Sequence, residues 1–282
     1  MTKTWLITGA SSGFGRGMAE RLLARGDQVI ATVRRQGSLD DLAAQYHDRL
    51  RVVYLDVTDT DGVQAAVNQA FADFKRIDVI VSNAGYGILG TVEETSIDQM
   101  RDIIETNLMG SMFLIKAALP HLRAQGFGRI VQVSSEGGQI AYPGFSLYHA
   151  SKWGIEGFIE SLAKEVQPFD IYFMIVEPGP SRTAFVGSIV LPDPISDYDG
   201  TPAHDLKDAA FGGGWVIKGD PDRMVDAMIT AADAPVMPFR LLLGKDAYAG
   251  VHGALSERLA VLEAGRDVTE AADFTEEELA AM

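Results

Sequence analysis

Short runs of apolar, β-branched residues recur along the chain at "TWLITG" (4–9), "QVIATV" (28–33), "RVVYLDV" (51–57), "DVIVSNA" (78–84), "RIVQVSS" (129–135), "IYFMIVEPG" (171–179) and "FRLLLG" (239–244). They are apolar throughout rather than alternating, so each predicts a strand covered on both faces. Between them apolar positions fall at helical spacing, as in 15–26, 61–74 and the long stretch 96–126. Strand and helix therefore alternate. That order predicts an α/β fold, a doubly wound parallel sheet of about seven strands flanked by helices and joined by right-handed crossovers. Ligands of such sheets sit beyond the carboxyl ends of the strands, so the loops that follow strands are where chemistry is expected.

The rhythm stops between Thr183 and about Pro221, where prolines and the "GGG" of 212–214 interrupt it. A segment of that length in a compact domain reads as a substrate-binding lid over about 184–220 or as disordered chain. The tail over 266–282 is acidic. With no repeat, low-complexity tract or charged linker, residues 1–282 read as a single domain, and 47% hydrophobic composition supports one large core.

Composition then removes classes of function. A net charge of −15 disfavours nucleic acid and anionic membrane surfaces as partners. The absence of cysteine excludes disulfides, thiolate nucleophiles and thiolate zinc sites, and the five histidines fall in no metal-binding spacing, so no metal is expected. The first apolar run is too short for a signal peptide, and no stretch approaches the roughly 20 apolar residues that span a membrane. The expectation is a cytoplasmic protein without membrane insertion.

Candidate chemistry gathers at the strand ends. The first strand runs into "TGASSGFG", with glycines at 9, 13 and 15 directly before a helix. Glycine lets a backbone approach a pyrophosphate, and the N–H groups of a helix N-terminus stabilise its charge. The same spacing also describes a glycine-rich turn with capping serines. After the second strand come Arg34 and Arg35 in place of a carboxylate. A guanidinium there can hold a 2′-phosphate through charge-assisted hydrogen bonds, which favours NADP(H), with NAD(H) as the alternative. Asp56, after the third strand, reads either as a contact to adenine or as a cap of the next helix; "SNAG" (82–85) after the fourth leaves room for a ribose.

The fifth strand ends at Ser134 and Ser135, thirteen residues before Tyr148. If Tyr148 lies in the first turns of a helix, Lys152 follows at i+4 on the same face. A free phenol has a pKa of ~10, and a neighbouring ammonium favours phenolate. A serine hydroxyl could orient the same substrate oxygen. Tyrosine and lysine at this spacing also describe an ordinary amphipathic helix; what weights the catalytic reading is that the glycine loop, the strand-end serine and this helix share one sheet edge. Gly154 and Gly157, further along, would let that helix pack closely against a neighbour.

At this point the chain resembles the classical short-chain dehydrogenase/reductase family, through "TGASSGFG", "LDVTD", "NAG" at 83–85, Asn107 in "IETNLMG", "SS" at 134–135, "YHASK" at 148–152 and "PGPSRT" at 178–183. The resemblance covers residues 4 to about 185 and implies a single Rossmann-type domain that binds NADP(H) or NAD(H). It implies Tyr148 as proton donor or acceptor, Lys152 as the group that lowers the phenol's pKa and holds the nicotinamide ribose, and Ser135 as binder of the substrate oxygen. Asn107 would anchor a water continuing the proton relay. Gly9, Ser11, Ser12, Gly13, Phe14 and Gly15 would line the pyrophosphate, Asp56 and Val57 the adenine, and Asn83, Ala84 and Gly85 the adenosine ribose. Pro178, Gly179, Ser181 and Thr183 would hold the nicotinamide side.

"SNAG" departs from the family's NNAG at Ser82, expected to be structural, and the C-terminal third matches loosely. The implied reaction moves a hydride between nicotinamide and the carbonyl carbon of a small ketone or aldehyde, or reverses it on an alcohol. Tyr86, Ile88, Gln139, Tyr142, Phe145, His149, Phe185, Val186 and Trp215 would surround the reacting centre if the lid closes, which favours a hydrophobic substrate. A non-catalytic NADP(H)-binding redox sensor and an epimerase or dehydratase of the extended group are the rivals. The family also implies a homodimer or homotetramer through helices around 96–120 and 147–166.

Overall fold

The structure, a computed structural model, describes residues 2–212 and 216–282. Its centre is a parallel sheet of seven strands, β1 (Thr4–Ile7), β2 (Gln28–Val33), β3 (Leu50–Tyr54), β4 (Val79–Ser82), β5 (Gly128–Val133), β6 (Ile171–Pro178) and β7 (Arg240–Leu243), in the order β3-β2-β1-β4-β5-β6-β7. The helices are α1 (Gly13–Ala24), α2 (Asp40–Tyr46), α3 (Thr60–Phe74), α4 (Ile97–Ile104), α5 (Gly110–Gln125), α6 (Ser146–Val166), α7 (Pro202–Phe211), α8 (Pro221–Asp233), α9 (Lys245–Ala264), α10 (Arg266–Glu270) and α11 (Glu276–Ala281). Seven strands in a doubly wound parallel order match the expectation.

The continuous apolar runs are explained by two cores, one on each face. Successive strand side chains alternate, so Trp5 and Ile7 pack with Met18, Leu22 and Leu23 of α1 and Met228 of α8. Leu6 joins Ile80 and Ile130 beneath Val63 and Val67 of α3, Ile115 of α5 and Ile159 of α6. In register, Leu6 of β1 lies between Ile30 of β2 and Ile80 of β4. Burying one such side chain contributes about 1.5–3 kcal/mol, so the central strands anchor the loops at their carboxyl ends.

Three stretches carry local structure that the sequence pattern does not show. The helical stretch 96–126 is interrupted by a π-helical turn at Glu105–Met109, which carries Asn107. The segment 184–220 contains turns at Val186–Ser188 and Ser196–Tyr198 as well as α7. Buried Glu94 pins it: Oε2 accepts from Thr91 N at 2.7 Å, and Oε1 from Ile195 N at 2.9 Å and His204 Nε2 at 2.6 Å. These donors outweigh desolvation and hold its carboxyl near about 2. The acidic tail is exposed and forms α10 and α11. As for the α6 glycines, a Cβ on Gly154 would meet the Leu108 side chain at 3.1 Å, so its close neighbour is the π turn, whereas Gly157 opens to free space.

Behind the sheet edge that carries Ser134, Arg240 of β7 pairs with Glu156 and Glu160 of α6 and with Glu177 of β6. Glu177 is 3% exposed; burial, and next the neighbouring Glu156, push its carboxyl up to about 7 from 4.5. The folded protein therefore binds a proton that the unfolded chain releases between about pH 4.5 and 7, and stability falls as pH rises through that window. Glu177→Gln removes this dependence. Its melting temperature should exceed that of the parent by a few degrees at pH 8 and by much less at pH 5; equal shifts at both pH values in thermal unfolding would show that Glu177 stays ionised throughout.

Candidate active site

The loops beyond the carboxyl ends of the strands enclose a cleft of about 370 Å³. At one end the chain leaves β1 through Gly9 (φ +66°) and enters α1 at Gly13 (φ +54°), both in the left-handed region that favours glycine. Ser12 makes no side-chain cap and the first turn of α1 has no acidic residue, so this end keeps its positive dipole and its N–H groups for a ligand. Gly9, Ser11, Ser12, Gly13 and Phe14 line the cleft. Gly15 serves packing instead: a Cβ there would lie 2.5 Å from Gly9 O and 2.6 Å from Asn83 Nδ2. Asn83 explains that crowding, since its Nδ2 donates to Thr8 O at 3.0 Å and Gly9 O at 3.2 Å, tying the end of β4 to the glycine loop. Buried Ser82 donates to Ser111 Oγ at 3.0 Å, the structural role expected of it.

Beyond the ends of β2 and β3 the cleft is lined by Arg34, Arg35, Asp56 and Val57. Both arginines are exposed, and among the described residues neither has an ion-pair partner within 4 Å. Asp56 Oδ1 accepts from Thr58 N at 3.0 Å and Thr58 Oγ1 at 2.8 Å. The Thr58 N–H holds its carboxyl below the usual range, with Arg34 a smaller contribution. The helix cap is another residue, Asp59, which accepts from Gly62 N.

At the reacting end, β5 delivers Ser135 and α6 delivers Tyr148 and Lys152 one turn apart. Ser135 Oγ accepts from Gly137 N at 3.0 Å. Lys152 is buried, donates from Nζ to Val133 O at 3.1 Å, and sits 5.6 Å from the Tyr148 ring centroid. Burial lowers its ammonium to about 8, Glu156 opposing. The phenol of Tyr148 is pushed up to about 12 by burial, with Ser135 offsetting and Glu136 adding to the rise. This differs from the expectation that Lys152 depresses it: the ring lies between Phe145 and Phe185, with ring centroids at 5.9 and 5.8 Å, and burial disfavours the phenolate.

Asn107 lies outside the cleft lining, which takes Thr106 from the same turn. Its Oδ1 accepts from Tyr86 N at 3.0 Å and its Nδ2 donates to Tyr86 O at 2.8 Å and Ser151 Oγ at 3.2 Å. The side chain thus clamps the loop after β4. The lining also takes in Asn83, Ala84, Gly85 and Tyr86 of that loop, with Pro178, Gly179, Ser181 and Thr183 opposite.

Of the expected substrate neighbours, Tyr86, Tyr142, Phe145, His149, Phe185 and Val186 line the cleft. Gln139 does not: its amide turns away to buried Glu156. Ile88 is buried in a bridge to Val190. His149 borders the cleft, but Nδ1 meets Gly137 O and Nε2 accepts from Tyr142 N, both at 2.8 Å, so both ring nitrogens are used. Burial holds the ring below its usual pKa, hence neutral. Trp215 lies outside the described residues. Glu136, which the sequence reading passed over, lines the cleft beside Ser135 and is 5% exposed; the signal was a carboxylate directly after the strand-end serine.

A doubly wound parallel sheet with a glycine-lined cleft at the point where strand order reverses defines the dinucleotide-binding α/β class. The family model described as short chain dehydrogenase matches residues 3–192. The chain is 40% identical over 254 residues to Oxidoreductase BOA17 of Botryotinia fuckeliana (strain B05.10), covering 89% of this chain and 92% of that one. A solved short-chain dehydrogenase from Streptomyces avermitilis is similar with a TM-score of 0.89 and 39% identity, over 96% of this chain and 98% of that one. A short chain dehydrogenase from Burkholderia cenocepacia J2315 in complex with NADP gives a TM-score of 0.73 and 25% identity, over 93% and 96%. The chain belongs to the short-chain dehydrogenase/reductase family and is an oxidoreductase acting on CH–OH groups. Among the described residues no helix is long and apolar enough to cross a membrane and no cluster could hold a metal ion.

The crowding at Gly15 makes a direct test of the glycine loop. Gly15→Ala should lower the melting temperature by several degrees and weaken nucleotide binding, because backbone on one side and the Asn83 amide on the other leave a methyl no room. Thermal unfolding with and without NADPH measures both, and an unchanged transition would contradict the packing described.

Proposed function

We propose that the protein is an NADP(H)-preferring reductase or dehydrogenase that interconverts a hydrophobic ketone or aldehyde with its alcohol, with Tyr148 as general acid and base. One observation carries this reading: the hydroxyls of Ser135 and Tyr148 and the ammonium of Lys152 line one cleft with the glycine loop. The donor set fits a dinucleotide, since positive-φ glycines, uncapped N–H groups and exposed guanidinium groups all favour phosphate. When bound, the nicotinamide supplies or accepts the hydride. Arg34 would take the 2′-phosphate, a reading supported by a strand end that offers two arginines and no carboxylate.

In carbonyl reduction, Ser135 Oγ donates to the substrate oxygen and orients it, and Tyr148 gives its proton to the oxygen as negative charge develops there. A phenol held near 12 is protonated across the neutral range and is poised for that direction. Lys152, still largely cationic at pH 7, offsets the phenolate left behind. In the oxidative direction the phenolate removes the alcohol proton. Asn107 acts by fixing the loop around Gly85, where a Cβ would meet Asn107 Oδ1 at 3.0 Å and Lys152 Nζ at 3.8 Å. Phe145 and Phe185 flank Tyr148, and Val186 and Ile189 also line the cleft, which supports an apolar substrate rather than a sugar acid. Residues 184–220 act as the lid of the same single domain. The open face of α6 at Gly157 suits pairing of two copies.

Tyr148→Phe keeps the ring and removes the proton. Turnover should drop at least ~10²-fold while the dissociation constant for NADPH stays within a factor of about three; near-normal turnover in a nicotinamide absorbance assay would remove Tyr148 from its role. Arg34→Ala should weaken NADPH binding roughly tenfold or more and NADH binding far less, as loss of a charge-assisted hydrogen bond to phosphate predicts. Equal losses in fluorescence titrations would show that Arg34 does not reach a 2′-phosphate.

A further inference from the structure

Two carboxylates are buried behind the strand-end serines, and they differ in one respect. Glu156, 2% exposed, is fully engaged: Oε1 accepts from Ser134 Oγ at 2.6 Å, and Oε2 accepts from the Gln139 amide and from Arg240. Glu136 lines both the reaction cleft and the neighbouring cavity that Tyr142, Gly179 and Ala247 also line, and among the described residues its only side-chain partner is the Tyr142 hydroxyl, which donates to Oε1 at 3.2 Å. Among the described residues Glu136 Oε2 is buried with no hydrogen-bond partner, and it is the sole such atom that belongs to a cleft-lining residue. Leaving a carboxyl oxygen unpaired in a buried site costs free energy, so the fold carries this group for something that arrives.

The neighbouring donors cannot turn to it, because they are committed elsewhere. Gly137 N serves Ser135 Oγ, the Gln139 amide serves Glu156, and His149 is held by Gly137 O and Tyr142 N. The side toward Oε2 is formed by Gly179 and Ala247. A Cβ on Gly179 would lie 3.4 Å from Oε2 and 2.9 Å from Ala247 Cβ, so glycine there keeps this flank clear. Phe145 and Phe185, the rings that flank Tyr148, offer a substrate nothing to bond.

We infer that Glu136, oriented by Tyr142, is a specificity residue that accepts a hydrogen bond from a second polar group on the substrate, a hydroxyl or a protonated amine carried on an apolar body close to the reacting carbonyl. The inference rests on the proposed reductase reading and deepens it, from hydrophobic carbonyls in general to those that also bear a donor. Burial lifts the Glu136 carboxyl above its usual value, Tyr142 opposing and Asp246 adding, so the ionised form gains most from an incoming donor. An amine brings a compensating charge as well as a proton, and a hydroxyl brings the proton alone.

The test is a set of matched ketones, acetophenone against its ortho, meta and para hydroxymethyl and aminomethyl derivatives, reduced with NADPH by the full chain. For at least one position the parent protein should show a kcat/KM at least tenfold above that for acetophenone. Glu136→Val should bring that ratio to one or below, whatever it does to acetophenone itself. Glu136→Gln, which keeps the shape and an acceptor, should lose the preference for the amine and keep part of that for the hydroxyl. NADPH titration of each variant reports whether the fold and nucleotide site survive. Reduction of every derivative no better than acetophenone, or a preference that Glu136→Val retains, overturns this inference and leaves the reductase reading standing. Reduction of no ketone at all overturns both.

Discussion

The reversal of strand order between β1 and β4 is the constraint on which the site depends. Two neighbouring strands whose chains turn to opposite sides leave a gap at their carboxyl ends, and Asn83 spans it, donating to the carbonyls of Thr8 and Gly9. That bridge fixes the glycine loop against "SNAG", forces Gly15 to lack a side chain, and sets the floor of the cleft. On the far side Asn107 holds the same loop by the main chain of Tyr86. The loop from Asn83 to Tyr86 is therefore tied down at both ends, and the part of the cleft it lines keeps its shape.

Within that frame, opposing electrostatic effects decide the acid–base chemistry. Lys152 was expected to acidify Tyr148, and its ammonium lies 5.6 Å from the ring centroid. Desolvation acts on both groups in the direction of neutrality, raising the phenol and lowering the ammonium, and Glu136 reinforces the first effect. Burial thus moves the two groups apart rather than drawing the phenol down toward neutrality.

Much of this was legible in the sequence where the signal is local. The apolar runs gave seven strands because a strand buried on two faces has no other pattern, and the glycines before α1 and the tyrosine–lysine spacing carry their geometry within one turn. What escaped depends on contacts between distant segments. The π turn at Asn107 was invisible because the helical period runs on through it, and only Tyr86 and Ser151 reward the extra residue. Asp56 and Asp59 compete for one cap, and the choice rests on Gly62. Gln139 and Glu136 exchanged roles for a similar reason: the turn at Glu136–Gly138 rotates the first toward buried Glu156 and leaves the second in the cleft.

The segment over the cleft follows from the same distinction between local and distant signals. Its prolines suggested irregular chain, yet Thr201 followed by Pro202 is a helix start, and α7 forms there because Pro at the first position gives up an N–H that would be unpaired anyway. What holds α7 in place is Glu94, whose two oxygens gather Thr91, Ile195 and His204 into one buried cluster. The stretch from Thr183 to Ile189, between that anchor and β6, is held by the bridge from Val190 to Ile88 and by Phe185 and Ile189, which crowd Gly87 so that a Cβ there would lie 3.1 and 3.3 Å from their side chains. It carries Phe185 against Tyr148. The ring against Tyr148 thus stands on a segment placed by residues far away in the chain, Glu94 and Thr91 on one side and Gly87 and Ile88 on the other, which is why no local pattern announced it.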